Sequence, residues 1–242
     1  MNFDNKVVVI TGASRGIGKT LAYHFAKIGC KLIITYNTSK FLSKSVKEDI
    51  ECQYGVEVSS IKCDLTNELD IINLVDFVKN KYQKVDILIN NAALSLDNDL
   101  HNKTKNEFMN VLEVNVVGTF LMIKYMSSIM NSNSFIFNIS STDAIDTFSE
   151  LNIDYSASKA AINNLTKSLS LVLDSKIISI CPNWVDTETI REMNQDYLKN
   201  ELKRIGQRKL ISPITIAQTI EKLMRDNIMS GSIIRIDGDI NE

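Results

Sequence analysis

Thr11-Gly12-Ala13-Ser14-Arg15-Gly16-Ile17-Gly18 is the stretch from which the rest of this chain can be read. Ahead of it, Lys6 to Ile10 is an apolar, β-branched run with the character of a buried strand. Behind it, Ile17, Leu21, Phe25 and Ile28 recur at helical spacing until Gly29 supplies a stop. The glycines therefore sit on a strand-to-helix turn. There they permit positive φ and let backbone N–H groups at a helix N-terminus approach a pyrophosphate, with the positive end of the helix dipole aimed at it. Glycines alone mark ordinary turns. The strand before and the helix after make Gly12, Ser14, Arg15, Gly16, Ile17 and Gly18 candidate contacts for a phosphate-bearing cofactor.

Outward from this turn, further strand-like runs alternate with amphipathic helical stretches. They are Lys31 to Tyr36, Val56 to Cys63, Val85 to Ile89, Ser134 to Ile139, Lys176 to Cys181 and Ser232 to Ile236. The alternation predicts an α/β fold, a doubly wound parallel sheet of about seven strands with helices on both faces. The only prolines are Pro182 and Pro213, and no long linker, repeat or low-complexity tract interrupts the pattern. Residues 1–242 read as one domain, long enough to bury a substantial core. In open sheets of this kind ligands gather at the carboxyl ends of the strands, where Gly12, Asp64, Asn90, Ser141 and Pro182 fall.

The 27 basic and 29 acidic residues leave a formal charge of −2, so nothing points to nucleic acid or an anionic membrane as partner. Met1-Asn2-Phe3-Asp4-Asn5 lacks a basic region followed by an apolar stretch, and no apolar run is long enough to span a bilayer. The expectation is a cytoplasmic protein. Cys30, Cys52, Cys63 and Cys181 show no Cys-x-x-Cys spacing and read as buried free thiols. His24 and His101 have no carboxylate or second histidine at ligand spacing, so both read as surface residues and no metal is expected.

A second signal lies at Tyr155-Ser156-Ala157-Ser158-Lys159. Taken alone, a Tyr-x-x-x-Lys pair on a helix is ordinarily surface decoration, Ser140-Ser141 is a polar strand end, and Asn115 is a buried residue satisfying backbone groups. Their order downstream of the glycine turn resembles the short-chain dehydrogenase/reductases, and the resemblance runs from Lys6 to about Gly238. It implies a Rossmann fold carrying a nicotinamide cofactor. Thr11 to Gly18 resembles the family's cofactor turn, Asp64-Leu65 its adenine contact, and Asn90-Asn91-Ala92-Ala93 its Asn-Asn-Ala-Gly, with Ala93 replacing the last glycine. By the same resemblance, Asn91 and Ala92 join the cofactor contacts, and Asn115, Ser141, Tyr155 and Lys159 match the catalytic four. Assembly as a homotetramer or homodimer is also implied.

The side chains support that chemistry directly. Tyr155 and Lys159 are i and i+4 on a helix, so phenol and ammonium face the same way. A nearby cation stabilises phenolate, which predicts a Tyr155 pKa lowered from its reference of about 10. Tyr155 is then a general acid for ketone reduction or a base for alcohol oxidation. Ser141 would hydrogen-bond the substrate oxygen, and Tyr155 and Lys159 would also border the cofactor. By resemblance, Asn115 would fix a water that links Lys159 to solvent.

Cofactor choice turns on the end of the second strand, where an acidic residue roughly 20 positions past the glycines would grip the ribose 2′-hydroxyl of NAD. Thr35-Tyr36-Asn37-Thr38-Ser39-Lys40 contains no acid. Tyr36 and Asn37 would meet the cofactor there, and Arg15 can pair with a 2′-phosphate, so NADP(H) is expected over NAD(H). Cys181-Pro182-Asn183-Trp184-Val185-Asp186-Thr187 resembles the family's nicotinamide loop, with Pro182, Val185 and Thr187 as contacts. Asn183 stands where that loop has glycine, and asparagine tolerates a left-handed backbone.

Residues 188–211 occupy the position of the substrate loop, with Trp184, Met193 and Tyr197 as candidate pocket walls and Phe148, Ser149 and Glu150 opposite. Ser141 and Tyr155 are 14 positions apart, one more than in the 3-oxoacyl-[acyl-carrier-protein] reductases that the chain otherwise resembles. Those reductases carry arginines on two long helices; Tyr125 to Met130 and Ser168 to Asp174 contain none, and their apolar faces are expected to form subunit contacts. The expected function is an NADPH-dependent oxidoreductase acting on a small carbonyl or alcohol substrate. The alternatives are a 3-oxoacyl-[acyl-carrier-protein] reductase and a nucleotide-binding regulator with little activity.

Overall fold

Val7–Ile10 (β1) is apolar at every position because the strand is covered on both sides: Val7 and Val9 enter one hydrophobic cluster, Val8 and Ile10 the other. In the computed structural model, which describes residues 2–238, six more strands complete the sheet. They are Lys31–Tyr36 (β2), Val58–Lys62 (β3), Ile87–Asn90 (β4), Phe135–Ile139 (β5), Lys176–Pro182 (β6) and Ile233–Ile236 (β7). Met1 and residues 239–242, part of the expected domain, lie outside the described residues. Every pairing is parallel and the order is β3-β2-β1-β4-β5-β6-β7, with Val8 opposite both Leu32 and Ile87. The expected α/β architecture is therefore present. β3 is shorter than Val56 to Cys63 because residues outside 58–62 have no ladder partner on β2.

The helices are Gly16–Lys27 (α1), Lys40–Tyr54 (α2), Glu68–Tyr82 (α3), Lys105–Leu112 (α4), Thr119–Met126 (α5), Ile153–Leu169 (α6), Glu188–Glu192 (α7), Gln195–Arg204 (α8) and Pro213–Arg225 (α9). Leu21 and Phe25 of α1, Ile50 of α2, and Ile216 and Ile220 of α9 pack on one face of the sheet. Ile71, Leu74 and Val78 of α3 and Met122, Ile123 and Met126 of α5 pack on the other. Phe25 is fully buried, and truncating such a side chain to alanine removes about 3–5 kcal/mol. The strand order reverses between β1 and β4, so the loops after these strands diverge and leave a crevice at their carboxyl ends.

Several surface expectations change. His24 is not a solvated residue: its Nε2 lies 2.9 Å from Glu221 on α9, a carboxylate far along the chain but adjacent once α1 and α9 pack. His101 is exposed, as expected. Cys30, Cys63 and Cys181 are buried, and burial pushes the Cys30 and Cys63 thiols up to about 12, whereas Cys52 on α2 is exposed. Met126 and Ile129, expected at a subunit contact, belong to the core, and α6 ends at Leu169. No helix among the described residues is long and apolar enough to cross a membrane.

Candidate active site

The turn after β1 needs its glycines for specific reasons. Gly12 has φ +65°, and a Cβ there would meet Ala92 at 2.9 Å. Gly16 has φ +58°, and a Cβ on Gly18 would fall 2.5 Å from Gly12 O and from Asn91 Nδ2. Asn91 binds the turn from the β4 side, its Nδ2 donating to Thr11 O at 2.9 Å and to Gly12 O at 3.1 Å. The Thr11 hydroxyl accepts from the Asn91 and Ala92 N–H groups, both at 3.0 Å. The turn is thereby held open at the N-terminus of α1, a cradle with the small side that the close approach of a pyrophosphate to a helix N-terminus requires. These residues fit a dinucleotide.

A cavity of about 830 Å³ runs from this turn past the ends of β2 to β6. Gly12, Ser14, Arg15, Gly16, Ile17, Tyr36, Asn37, Asp64, Leu65, Asn91, Ala92, Pro182, Val185 and Thr187 all line it, as do Ser141, Tyr155 and Lys159. Gly18 and Asn115 do not. Gly18 instead lets the turn close on itself, and Asn115 lies behind Leu94. Asp64 accepts from the backbone N–H and hydroxyl of Thr66 at 2.9 and 2.8 Å, and the first of these bonds leads in holding its carboxyl below the ordinary range. At the far end, Arg15 is exposed with no ion-pair partner among the described residues, and Tyr36, Asn37, Thr38 and Ser39 supply no carboxylate.

Tyr155 and Lys159 share one face of α6, with the ammonium 5.3 Å from the centre of the phenol ring. Lys159 Nζ donates to Ile139 O at the end of β5, 2.7 Å away, and burial lowers its pKa to about 8. Tyr155 differs from expectation. Burial, followed by the Asp143 carboxylate, pushes its pKa up. Ser141 caps the short 3₁₀ turn Thr142–Ala144, its hydroxyl oxygen accepting from Asp143 N–H at 3.1 Å.

Asn115 lies in a π-helical turn, Glu113–Gly118, between α4 and α5. Its Nδ2 donates to Leu94 O at 2.9 Å and to Ser158 Oγ at 3.0 Å, and its Oδ1 accepts from Leu94 N at 2.7 Å. The amide is engaged on both sides and fastens the segment after β4 to α6.

The loop after β6 is built without a left-handed residue at Asn183, because its side chain does the turning: Asn183 Oδ1 accepts from Trp184 N at 3.0 Å. Asn183 N–H donates to Ile236 O on β7 at 2.9 Å. The substrate-loop segment is more regular than expected, with α7 and α8 in it and the Asn194 side chain capping α8. Glu188 of α7 accepts from Gly16 N at 3.0 Å, tying that segment to the turn. Trp184 and Met193 line the cavity; Tyr197, Phe148, Ser149 and Glu150 do not. Leu94, Ser95, Asp143 and Asn152 line it without having been singled out, and only Asp143, two positions after Ser141 at a strand end, carried a signal that spacing offered.

Comparison with known proteins agrees with this geometry. The short chain dehydrogenase family model matches residues 6–198. A 3-oxoacyl-[acyl-carrier-protein] reductase of Buchnera aphidicola is 33% identical, covering 98% of each chain. A dehydrogenase/reductase from Sinorhizobium meliloti superimposes with a TM-score of 0.92 at 26% identity, over 100% of this chain and 98% of the other. A metagenomic blue fluorescent protein in complex with NADPH superimposes at 0.91 and 23% identity, over 98% of each chain. With the glycine turn, the parallel sheet and the Tyr155–Lys159 face in place, the chain belongs to the short chain dehydrogenase family and is an oxidoreductase.

Proposed function

We propose that the protein reduces a small carbonyl compound with NADPH, that Ser141, Tyr155 and Lys159 carry the reaction, and that the whole chain acts as one domain. The observation that supports this most is the shared cavity, in which Tyr155 and Ser141 face the same space as the glycine turn. The nicotinamide, when bound, supplies a hydride to the carbonyl carbon. Ser141 receives the Asp143 N–H on its oxygen, and its own hydrogen, shared with the Asp143 carboxyl beside it, would turn to donate to the carbonyl oxygen. Tyr155 passes its proton to that oxygen, and the Lys159 charge stabilises the phenolate that results. Asn115 acts as a positioning residue, since it reaches Ser158 and Leu94 and not the cavity.

NADPH is favoured over NADH because Arg15 faces a cavity end without carboxylates on the β2 side. The Buchnera relative supports a second reading, reduction of a 3-oxoacyl thioester. Exposed apolar side chains at Met109, Val117 and Phe120, along α4 and α5, support self-assembly into a homodimer or homotetramer.

The test titrates NADPH and NADH by fluorescence, then follows NADPH absorbance with ketones, sugars, α-dicarbonyls and 3-oxoacyl thioesters. Tighter NADPH binding is expected, with turnover falling about 10²–10⁴-fold in Tyr155→Phe while cofactor affinity holds. Equal or tighter NADH binding overturns the cofactor choice, and undiminished turnover by Tyr155→Phe overturns the assignment of the acid.

A further inference from the structure

Asp143 stands out among the residues that border the reacting groups. It sits two positions after Ser141 in the 3₁₀ turn, lines the same cavity as Tyr155 and Ser141, and its carboxyl also bonds the Ser141 hydroxyl. One oxygen, Oδ1, accepts from the Thr147 hydroxyl at 2.9 Å; Thr147 is in turn 2.7 Å from the Thr142 hydroxyl. Thr147 and Thr142 are both buried, so the carboxyl is held by a fixed pair of hydroxyls.

No cation lies within ion-pair distance of Asp143 among the described residues. Arg204 of α8 is the basic residue nearest in influence, yet its guanidinium is committed to Glu201 at 2.7 Å and to Thr147 O at 3.4 Å. The environment is dry enough that desolvation leads in raising the carboxyl above its ordinary range. A polar group of this kind costs free energy when an apolar ligand covers it and gains when a ligand brings it a hydrogen-bond donor.

Resting on the carbonyl-reductase reading, we infer that Asp143 is the specificity-determining residue of the pocket, selecting carbonyl substrates that carry a hydroxyl or ammonium group close to the carbonyl. Asp97 and Ser95, which line the same cavity and are joined by a 3.1 Å hydrogen bond, add further acceptors to a lining whose apolar part includes Leu94, Trp184 and Met193. The discrimination belongs to the class in which a site built to bond a substrate OH or NH penalises the analogue that lacks it.

Three ketones of nearly equal size separate the contributions: hydroxyacetone, aminoacetone and 2-butanone. For the wild-type protein with NADPH, kcat/KM for hydroxyacetone or aminoacetone is expected to exceed that for 2-butanone by about tenfold or more. Asp143→Val should collapse that ratio toward one. Asp143→Asn keeps the size and an acceptor oxygen, so it should retain a preference for the hydroxyl and lose one for the ammonium, which tells the two donor types apart. Equal kcat/KM for the three ketones in the wild type, turnover of alkyl ketones alone, or a preference that survives Asp143→Val overturns the inference and leaves the reductase reading standing. Turnover of no carbonyl compound at all overturns both.

Discussion

Lys159 is an ammonium buried under its own helix and tied to one carbonyl, Ile139 O. Burial lowers its pKa to about 8, within the range in which an assay can be run, whereas burial pushes that of Tyr155 up. The charged form of Lys159 stabilises the phenolate, so kcat/KM for reduction should fall as pH rises through about 8, by about tenfold per unit well above it. Lys159→Arg, which stays charged, should remove that alkaline limb even if it is slower. A pH profile from 6 to 10 checks this, and a limb that persists in Lys159→Arg would assign it to another group. Sequence spacing placed Tyr155 and Lys159 on one face, but it had no means of weighing burial against charge. The sign of the Tyr155 shift was therefore out of its reach.

At the scale of elements, α6 is docked by an ion pair that spacing did not reveal. Lys103, just before α4, reaches Asp154, which precedes Tyr155; the side chains are 2.9 Å apart and 3% and 0% exposed. Asp154 also accepts from Tyr155 N–H at 2.9 Å, and Lys103 donates to Leu96 O as well. The pair therefore couples the segment after β4 to the first turn of the helix that carries the phenol. Lys103→Met would strand a carboxylate in the interior and should cost about 3–5 kcal/mol, read by urea unfolding. The double variant Lys103→Met with Asp154→Asn should recover most of that loss, because a matched neutral pair removes both desolvation costs. If the two single losses add instead, the side chains are not coupled.

For the whole molecule, the exposed apolar side chains predict association. Light scattering should report a dimer or tetramer, and Phe120→Glu should shift it toward a monomer; a monomeric wild type contradicts the assembly. The parallel sheet and the glycine turn were legible in sequence because Val7 to Ile10 and Gly12 to Gly18 obey local rules of periodicity and backbone geometry. His24 with Glu221, Lys103 with Asp154 and Asn115 with Leu94 were not, since each pair joins residues that only the packed helices and loops bring together. That same long reach governs how the chain acquires activity. Asn183 N–H is held by Ile236, so the loop beyond β6 rests on the last strand of the sheet, while the cofactor turn rests on the first. A refolding chain can close β1, β4 and β5 and still lack that loop's anchor. Recovery of catalysis then keeps time with the arrival of the C-terminal strand, and a chain cut short before residue 233 would lose its enzyme function before it lost most of its secondary structure.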